Sequence, residues 1–236
     1  TSCALPAGNV LALDASNNAS LNLGSGGAVV TWTDTSSTGR VFTVQAGTPT
    51  LTTLNGFPGV RFQNLDGLVH DATFGGTWEF YLVWESLDGL VAHGSSTSTP
   101  HLIESRPFKV NGNSAGNAGW AMVWKTGSAG FSGVKMVADG VAWGDQSSVC
   151  CDATTDRTRR VFRMVRAGTV AQLYHGDTLL STVNTAGASG TLFYLGSDSY
   201  RGSHGRLMEL LGWTSQLSTT LRGNMFAHLR SKWGAT

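Results

Sequence analysis

The sequence predicts an all-β fold, a two-sheet antiparallel jelly-roll sandwich carrying one C-terminal helix, as a single domain over residues 1–236. Three observations predict it. Charged residues make up only 13% of the chain, about half the usual share, and Gly alone supplies 31 residues, so turns are plentiful. Short runs of alternating apolar and polar residues recur, with turn signals at roughly the 8–12-residue spacing of sandwiches. A 41% hydrophobic content with eight Trp can sustain a core, which argues against disorder.

The strands follow in order. Val10-Leu11-Ala12-Leu13-Asp14 opens the chain, and Ala28 to Asp34 follows a Gly-Ser-Gly-Gly turn. Gly59-Val60-Arg61-Phe62 alternates, as a strand with one buried face does. Thr77 to Glu85 sets Phe80, Leu82 and Trp84 on one face and Glu79, Tyr81, Val83 and Glu85 on the other. Ala121 to Trp124, Val134 to Val137, Arg160 to Arg166, Val170 to Tyr174, Thr178 to Val183, Thr191 to Gly196 and Arg206 to Trp213 complete the set. Gly112 to Gly119 reads as a loop.

One segment breaks the pattern. Ser218 is a good N-cap, Leu221, Met225 and Leu229 recur every four residues, and Phe226 and Trp233 widen that stripe. Gly234 stands where a left-handed residue ends a helix. The spacing predicts a helix over 219–232, docked through Leu221, Met225 and Leu229.

Several motifs occur in a familiar order. Trp32-Thr33-Asp34-Thr35-Ser36 leads to Leu54-Asn55-Gly56-Phe57-Pro58-Gly59-Val60-Arg61-Phe62, then to Leu173-Tyr174-His175-Gly176-Asp177. Leu195-Gly196-Ser197, Gly205-Arg206-Leu207-Met208-Glu209-Leu210 and Leu229-Arg230-Ser231-Lys232-Trp233-Gly234 follow. Together they run from about residue 10 to 234 and resemble the laminin G-like, concanavalin A-like domains of bacterial and phage surface proteins. The resemblance implies a sandwich that binds glycans or proteins and does no chemistry, with Glu209 as a structural acid.

Glucanases that share this fold carry E-x-D-x-x-E, which is missing here. The four Glu are Glu79, Glu85, Glu104 and Glu209. Glu79 and Glu85 share a strand face, but six residues apart is roughly 20 Å, against about 5–5.5 or 6.5–9.5 Å for glycosidase pairs. Neither a G-x-S-x-G elbow, nor HExxH, nor a P-loop occurs. His70, His93, His101, His175, His204 and His228 are scattered and read as surface or capping residues. The expectation is therefore no enzyme.

Sugar recognition needs aromatic faces beside groups that bond hydroxyls. Asp198, Tyr200, Arg201 and His204 share the loop Ser197 to Gly205, and Trp143 and Asp145 occupy a second polar stretch. These six are the candidate glycan-binding residues. The one charge concentration is Arg157, Arg159, Arg160, Arg163 and Arg166. Its bland reading is a solvated strand whose Arg stems cover apolar neighbours, and its sharper reading makes Arg160, Arg163 and Arg166 a protein-contact strip. No cofactor is expected. Calcium would need clustered oxygen ligands; Asp34, Asp66, Asp71 and Asp198 are available, but no dense acidic loop exists, and Asp34 reads as an Asx-turn with the Ser and Thr that follow.

A net charge of +1 gives no pull toward nucleic acid, and no apolar run suits membrane insertion. Thr1 opens no basic and apolar leader, and Cys3, Cys150 and Cys151 leave one thiol over if a bridge forms. The expectation is a virion surface protein, a capsid decoration or tail-associated component, whose partners are other virion proteins, host glycans or its own copies. The alternative is a bacterial extracellular carbohydrate-binding or adhesion module, and a hydrolase or lyase with a non-standard site comes third.

Overall fold

The computed structural model describes residues 5–63, 65–87, 103–112, 120–126, 133–138, 158–184, 191–197 and 204–236, and between 103 and 138 the side chains of Lys109 and Met122 alone. The strands are β1 Leu11–Asp14, β2 Leu21–Leu23, β3 Val29–Thr33, β4 Val41–Ala46, β5 Thr50–Leu54, β6 Phe57–Phe62, β7 Gly67–Asp71 and β8 Thr77–Ser86. They continue as β9 Ile103–Gly112, β10 Trp120–Thr126, β11 Gly133–Ala138, β12 Arg159–Ala167, β13 Val170–His175, β14 Thr178–Asn184, β15 Leu192–Gly196 and β16 Gly205–Trp213, before α1 Thr219–Trp233.

The strands form two sheets, antiparallel throughout. Sheet A runs β14-β13-β12-β8-β16-β6-β5, and β1 pairs the second half of β16, Leu11 opposite Gly212. Sheet B runs β11-β10-β9-β15-β7-β4-β3-β2. Tight turns set the registers. Between β5 and β6, Leu54 faces Phe57 across Asn55 and Gly56, both at positive φ (53° and 81°), the conformation a two-residue hairpin turn demands. The expected sandwich with a C-terminal helix is the fold observed.

Between the sheets lies the main core. Sheet A contributes Trp78, Phe80, Leu82, Trp84, Phe162 and Met164, and sheet B contributes Trp32, Phe42, Leu68, Met122, Phe193 and Leu195. Phe80 and Phe193 meet across the sandwich edge to face, with centroids 5.6 Å apart. A second core lies on the far side of sheet A. There Tyr81, Val83, Val161, Met208, Leu211 and Trp213 meet Met225, Phe226, Leu229 and Trp233 of α1. Strand β8 is therefore buried on both faces from Trp78 to Ser86.

Helix α1 starts where the sequence places it. The Ser218 hydroxyl accepts the Leu221 N–H at 3.3 Å, and Gly234 ends the helix at φ 58°. Arg230 and Lys232 in its last turn complement the C-terminal end of the dipole. One expectation is corrected. Leu221 is 38% exposed, because Leu217, just before the N-cap, fills that end of the second core instead.

Candidate functional site

The arginine strip turns inward. Arg163, on the helix side of β12, is 5% exposed, and its Nε donates to Glu79 Oε1 at 2.8 Å. Glu79 is fully buried and also accepts the Tyr81 hydroxyl (2.6 Å) and the Leu217 N–H (2.8 Å), with Arg222 Nε 3.4 Å away. Burial and the adjoining Glu79 carboxylate push the Tyr81 phenol well above its ordinary value. The Arg163 guanidinium lies over the Tyr174 ring, 4.3 Å from its centroid. Arg166 closes a strand end, donating from Nε to the Gly168 carbonyl at 2.8 Å, and burial pulls its pKa down. Arg160 is half-buried. A contact strip would show its guanidinium groups to solvent, and Arg163 and Arg166 face into the protein.

The other two described glutamates are held the same way. Glu85 accepts from Arg206, through Nε at 2.8 Å and through Nη2, and Arg159 Nε lies 3.4 Å away. Arg206 is 1% exposed and also donates to the Phe57 carbonyl at 3.1 Å. Arg159 stacks on the Phe57 ring and bonds the Trp233 carbonyl, which links β12 to the end of α1. Glu209 accepts from Lys232 Nζ at 2.9 Å and from the Trp233 indole, while Asp14 takes Lys232 from the other side at 2.6 Å.

Burial raises the Glu209 pKa despite Lys232 beside it. Burial also pulls on Lys232, but the Glu209 and Asp14 carboxylates outweigh it and raise its pKa. A bulge at Met208 aims Glu209 at the helix, since Leu207 pairs Trp84 and Glu209 pairs Val83, leaving Met208 extra. All three carboxylates thus tie sheet A to arginines, lysine or the helix. The Glu104 side chain lies outside the described residues.

Of the candidate glycan residues, Trp143, Asp145, Asp198, Tyr200 and Arg201 lie outside the described residues. His204 is described, and so is the base of its loop. Ser197 donates its N–H to the Asp66 carbonyl at 2.8 Å, and Gly205 pairs with Phe62 of β6 and Ser86 of β8. The His204 ring reaches Gln63, Nε2 to Nε2 at 3.5 Å. Gln63 follows the Leu54-to-Phe62 motif, and the sequence held no sign of this meeting, because the partners stand 141 positions apart. One end of the sandwich thereby gathers the 63–67 turn, the 47–48 turn and both feet of the 197–205 loop.

Among the described residues no group of three His, Cys, Asp or Glu side chains could hold a metal ion. Asp34 is an Asx-turn centre: it is 2% exposed and accepts from the Ala12 and Ser36 N–H groups (2.7 and 2.8 Å) and the Ser36 and Thr38 hydroxyls. Asp66 accepts the Thr48 and Gln63 N–H groups at 2.8 and 2.9 Å. Neither has the open oxygen cluster that calcium needs.

No protein-family model and no curated protein sequence matches the chain. Solved structures do match in fold. Domain 4 of AbnA, a GH43 extracellular arabinanase from Geobacillus stearothermophilus, in complex with arabinotriose, superposes with a TM-score of 0.65 at 12% identity, over 93% of this chain and 98% of that one. Trypanosoma rangeli sialidase matches with a TM-score of 0.64 at 12% identity over 99% of this chain, which spans only 35% of the sialidase. The binding domain of Botulinum neurotoxin DC, in complex with SialylT, matches at 0.52 and 8% identity, over 95% of this chain and 52% of that one.

These matches correct two expectations. None of the three is a virion protein, so the phage and virion reading is withdrawn, together with virion partners. Two come from carbohydrate-active enzymes, so the exclusion of an enzyme no longer stands on the fold. At these identities the likeness is one of fold alone, and it makes the chain a two-sheet β-sandwich of a kind found in carbohydrate-binding and carbohydrate-active proteins.

Proposed function

We propose that this chain is an extracellular carbohydrate-binding domain, a single laminin G-like sandwich that takes sugars at the end of the sheets where the 197–205 loop is rooted. The observation that carries the reading is the near end-to-end match, 93% of this chain to 98% of the other, with an arabinanase domain whose structure contains arabinotriose. Helix α1 covers the middle of the outer face of sheet A, and the described glutamates, with Arg163 and Arg166, are engaged inside, which supports a location at the loop ends. By residue type, Asp198, Tyr200, Arg201 and His204 of that loop offer an aromatic face and hydroxyl-bonding groups for a neutral sugar, and Trp143 and Asp145 are the further candidates from the sequence.

Isothermal titration against arabinotriose, lactose, cellotriose and sialyllactose tests it, followed by Tyr200→Ala and Trp143→Ala. Binding that survives raised salt and is lost in those variants is the expected result. Binding that survives both variants but collapses with salt would locate the site on charge instead. Product analysis of the same samples reads any cleavage.

A further inference from the structure

We propose that Asn55, at the tip of the β5–β6 hairpin, is a site of spontaneous covalent modification, where the side-chain amide is lost and the backbone is rerouted as isoaspartate. Strand β6 runs from this turn to Phe62, which pairs with Gly205. The site therefore lies at the opposite end of that strand from the 197–205 loop, and it stands or falls independently of the carbohydrate reading.

The chemistry needs an Asn side chain, a following residue that does not crowd it, and an N–H that no acceptor holds. Asn55 and Gly56 are both exposed. A Cβ built on Gly56 would meet nothing within 4 Å, so the approach is open. Neither the Asn55 amide nor the Gly56 N–H makes a hydrogen bond among the described residues. Both residues hold positive φ, which a non-glycine residue adopts at a cost. Strand β5 is the last of sheet A, so the tip opens locally.

On opening, the Gly56 nitrogen attacks Cγ of Asn55. A C–N bond forms, the Gly56 N–H proton and the side-chain nitrogen leave together as ammonia, and a cyclic succinimide closes. Water then adds to one of its two carbonyls. Opening at Cγ gives aspartate at position 55. Opening at the backbone carbonyl gives isoaspartate, in which the chain runs through Cβ and is longer by one methylene. Either product adds a carboxylate and takes the formal net charge of +1 to neutrality.

Two other places in the chain show what protects against the same ring closure. Asn111-Gly112 repeats the dipeptide inside β9, where Val110 pairs with Trp120 of β10 and Gly112 with Leu192 of β15. At Asp66-Gly67 the carboxylate accepts the Gln63 and Thr48 N–H groups, and Gly67 pairs with Gly196.

The extra methylene falls where the register is set. Leu54 faces Phe57 across the two turn residues, and a longer turn cannot keep that pair. Phe57 is where the hairpin meets the second core. Its ring lies 6.5 Å from the Trp233 ring, centroid to centroid, Arg159 stacks on it, and its carbonyl accepts from Arg206. Isoaspartate at position 55 therefore loosens the end of α1 and the arginine that holds Glu85.

The test incubates the whole chain at mildly alkaline pH, natively and in urea, and maps the tryptic peptides 41–61 and 110–125 by tandem mass spectrometry. The native chain should convert Asn55 about tenfold faster than Asn111, because a turn tip opens locally and a strand paired on both sides does not. In urea the two rates should converge. As isoaspartate accumulates, the melting temperature should fall by about 2–8 °C, the shift for losing one or two hydrogen-bonded contacts in a chain of this size. Asn55→Gly suits the turn and carries no amide, so it should keep its melting temperature through the same incubation. Equal native rates at the two asparagines, or an Asn55 that converts in urea and not in the folded chain, would overturn the site. A fully converted chain that melts with the unmodified one would overturn its link to Phe57.

Discussion

Leu229 and Leu221 sit two turns apart on α1, and the structure assigns them opposite fates. Leu229 is fully buried between the helix and sheet A, in the cluster with Tyr81, Val161, Met208 and Trp233, while Leu221 is 38% exposed. Truncating Leu229 to Ala removes about three carbons, worth about 0.8 kcal/mol each in transfer from water. A cavity penalty adds to that, since neighbours held by β-sheet bonding relax little, so about 3–4 kcal/mol is the expected loss. At about 2–4 °C per kcal/mol for a chain of this size, the melting temperature should fall by about 6–16 °C. Leu221→Ala should stay within about 0.5 kcal/mol. Thermal melts followed by circular dichroism on both variants measure the difference. Equal effects, or a Leu229→Ala loss below about 1 kcal/mol, would refute the docked helix and with it the second core.

Other variants probe the remaining contacts. Arg163→Met leaves Glu79 buried with fewer partners and should cost about 3–5 kcal/mol, and Glu79→Gln in the same chain should return part of it; a double-mutant cycle in urea measures the coupling. Gly205→Ala drives a Cβ into the Trp84 ring and should cost about 1–3 kcal/mol, read as a lower urea midpoint, and an unchanged midpoint would contradict the close approach. The raised Lys232 pKa means the folded state holds that proton more tightly than the unfolded chain. Its stabilisation is complete below the ordinary lysine value and is lost as pH rises through the raised one. Melts across alkaline pH should show that loss in the wild type and not in Lys232→Met.

How far the sequence announced this arrangement depends on what each residue packs against. The Thr77-to-Glu85 alternation sorted Phe80, Leu82 and Trp84 from Tyr81 and Val83 correctly, because both faces of β8 are buried and each carries its own apolar set. Strands β4 and β5 were not distinguished, since Val41, Thr43, Val44 and Leu54 are exposed and blur the period. Strand β9 hides behind Pro107 and Gly112. Glu209 was read as a structural acid, but its aim at Lys232 and Trp233 comes from the Met208 bulge, which an alternation rule cannot foresee. Likewise the basic run looked like surface. Its partners, Glu79 and Glu85, come from β8, some eighty positions away, and only pairing of β12 with β8 reveals them. Gln63 was silent for the same reason.

The two stacked cores have a spectroscopic consequence. Trp32, Trp78, Trp84, Trp213 and Trp233 all lie inside them, shielded from water. Five of the eight indoles therefore emit as a blue-shifted background that follows unfolding. A sugar-dependent change in emission is expected from Trp143, a candidate contact, or from Trp84, which lies against Gly205 at the foot of the 197–205 loop. Recording the spectrum of a Trp143→Phe chain beside the wild type would separate a binding signal from a folding signal in one cuvette.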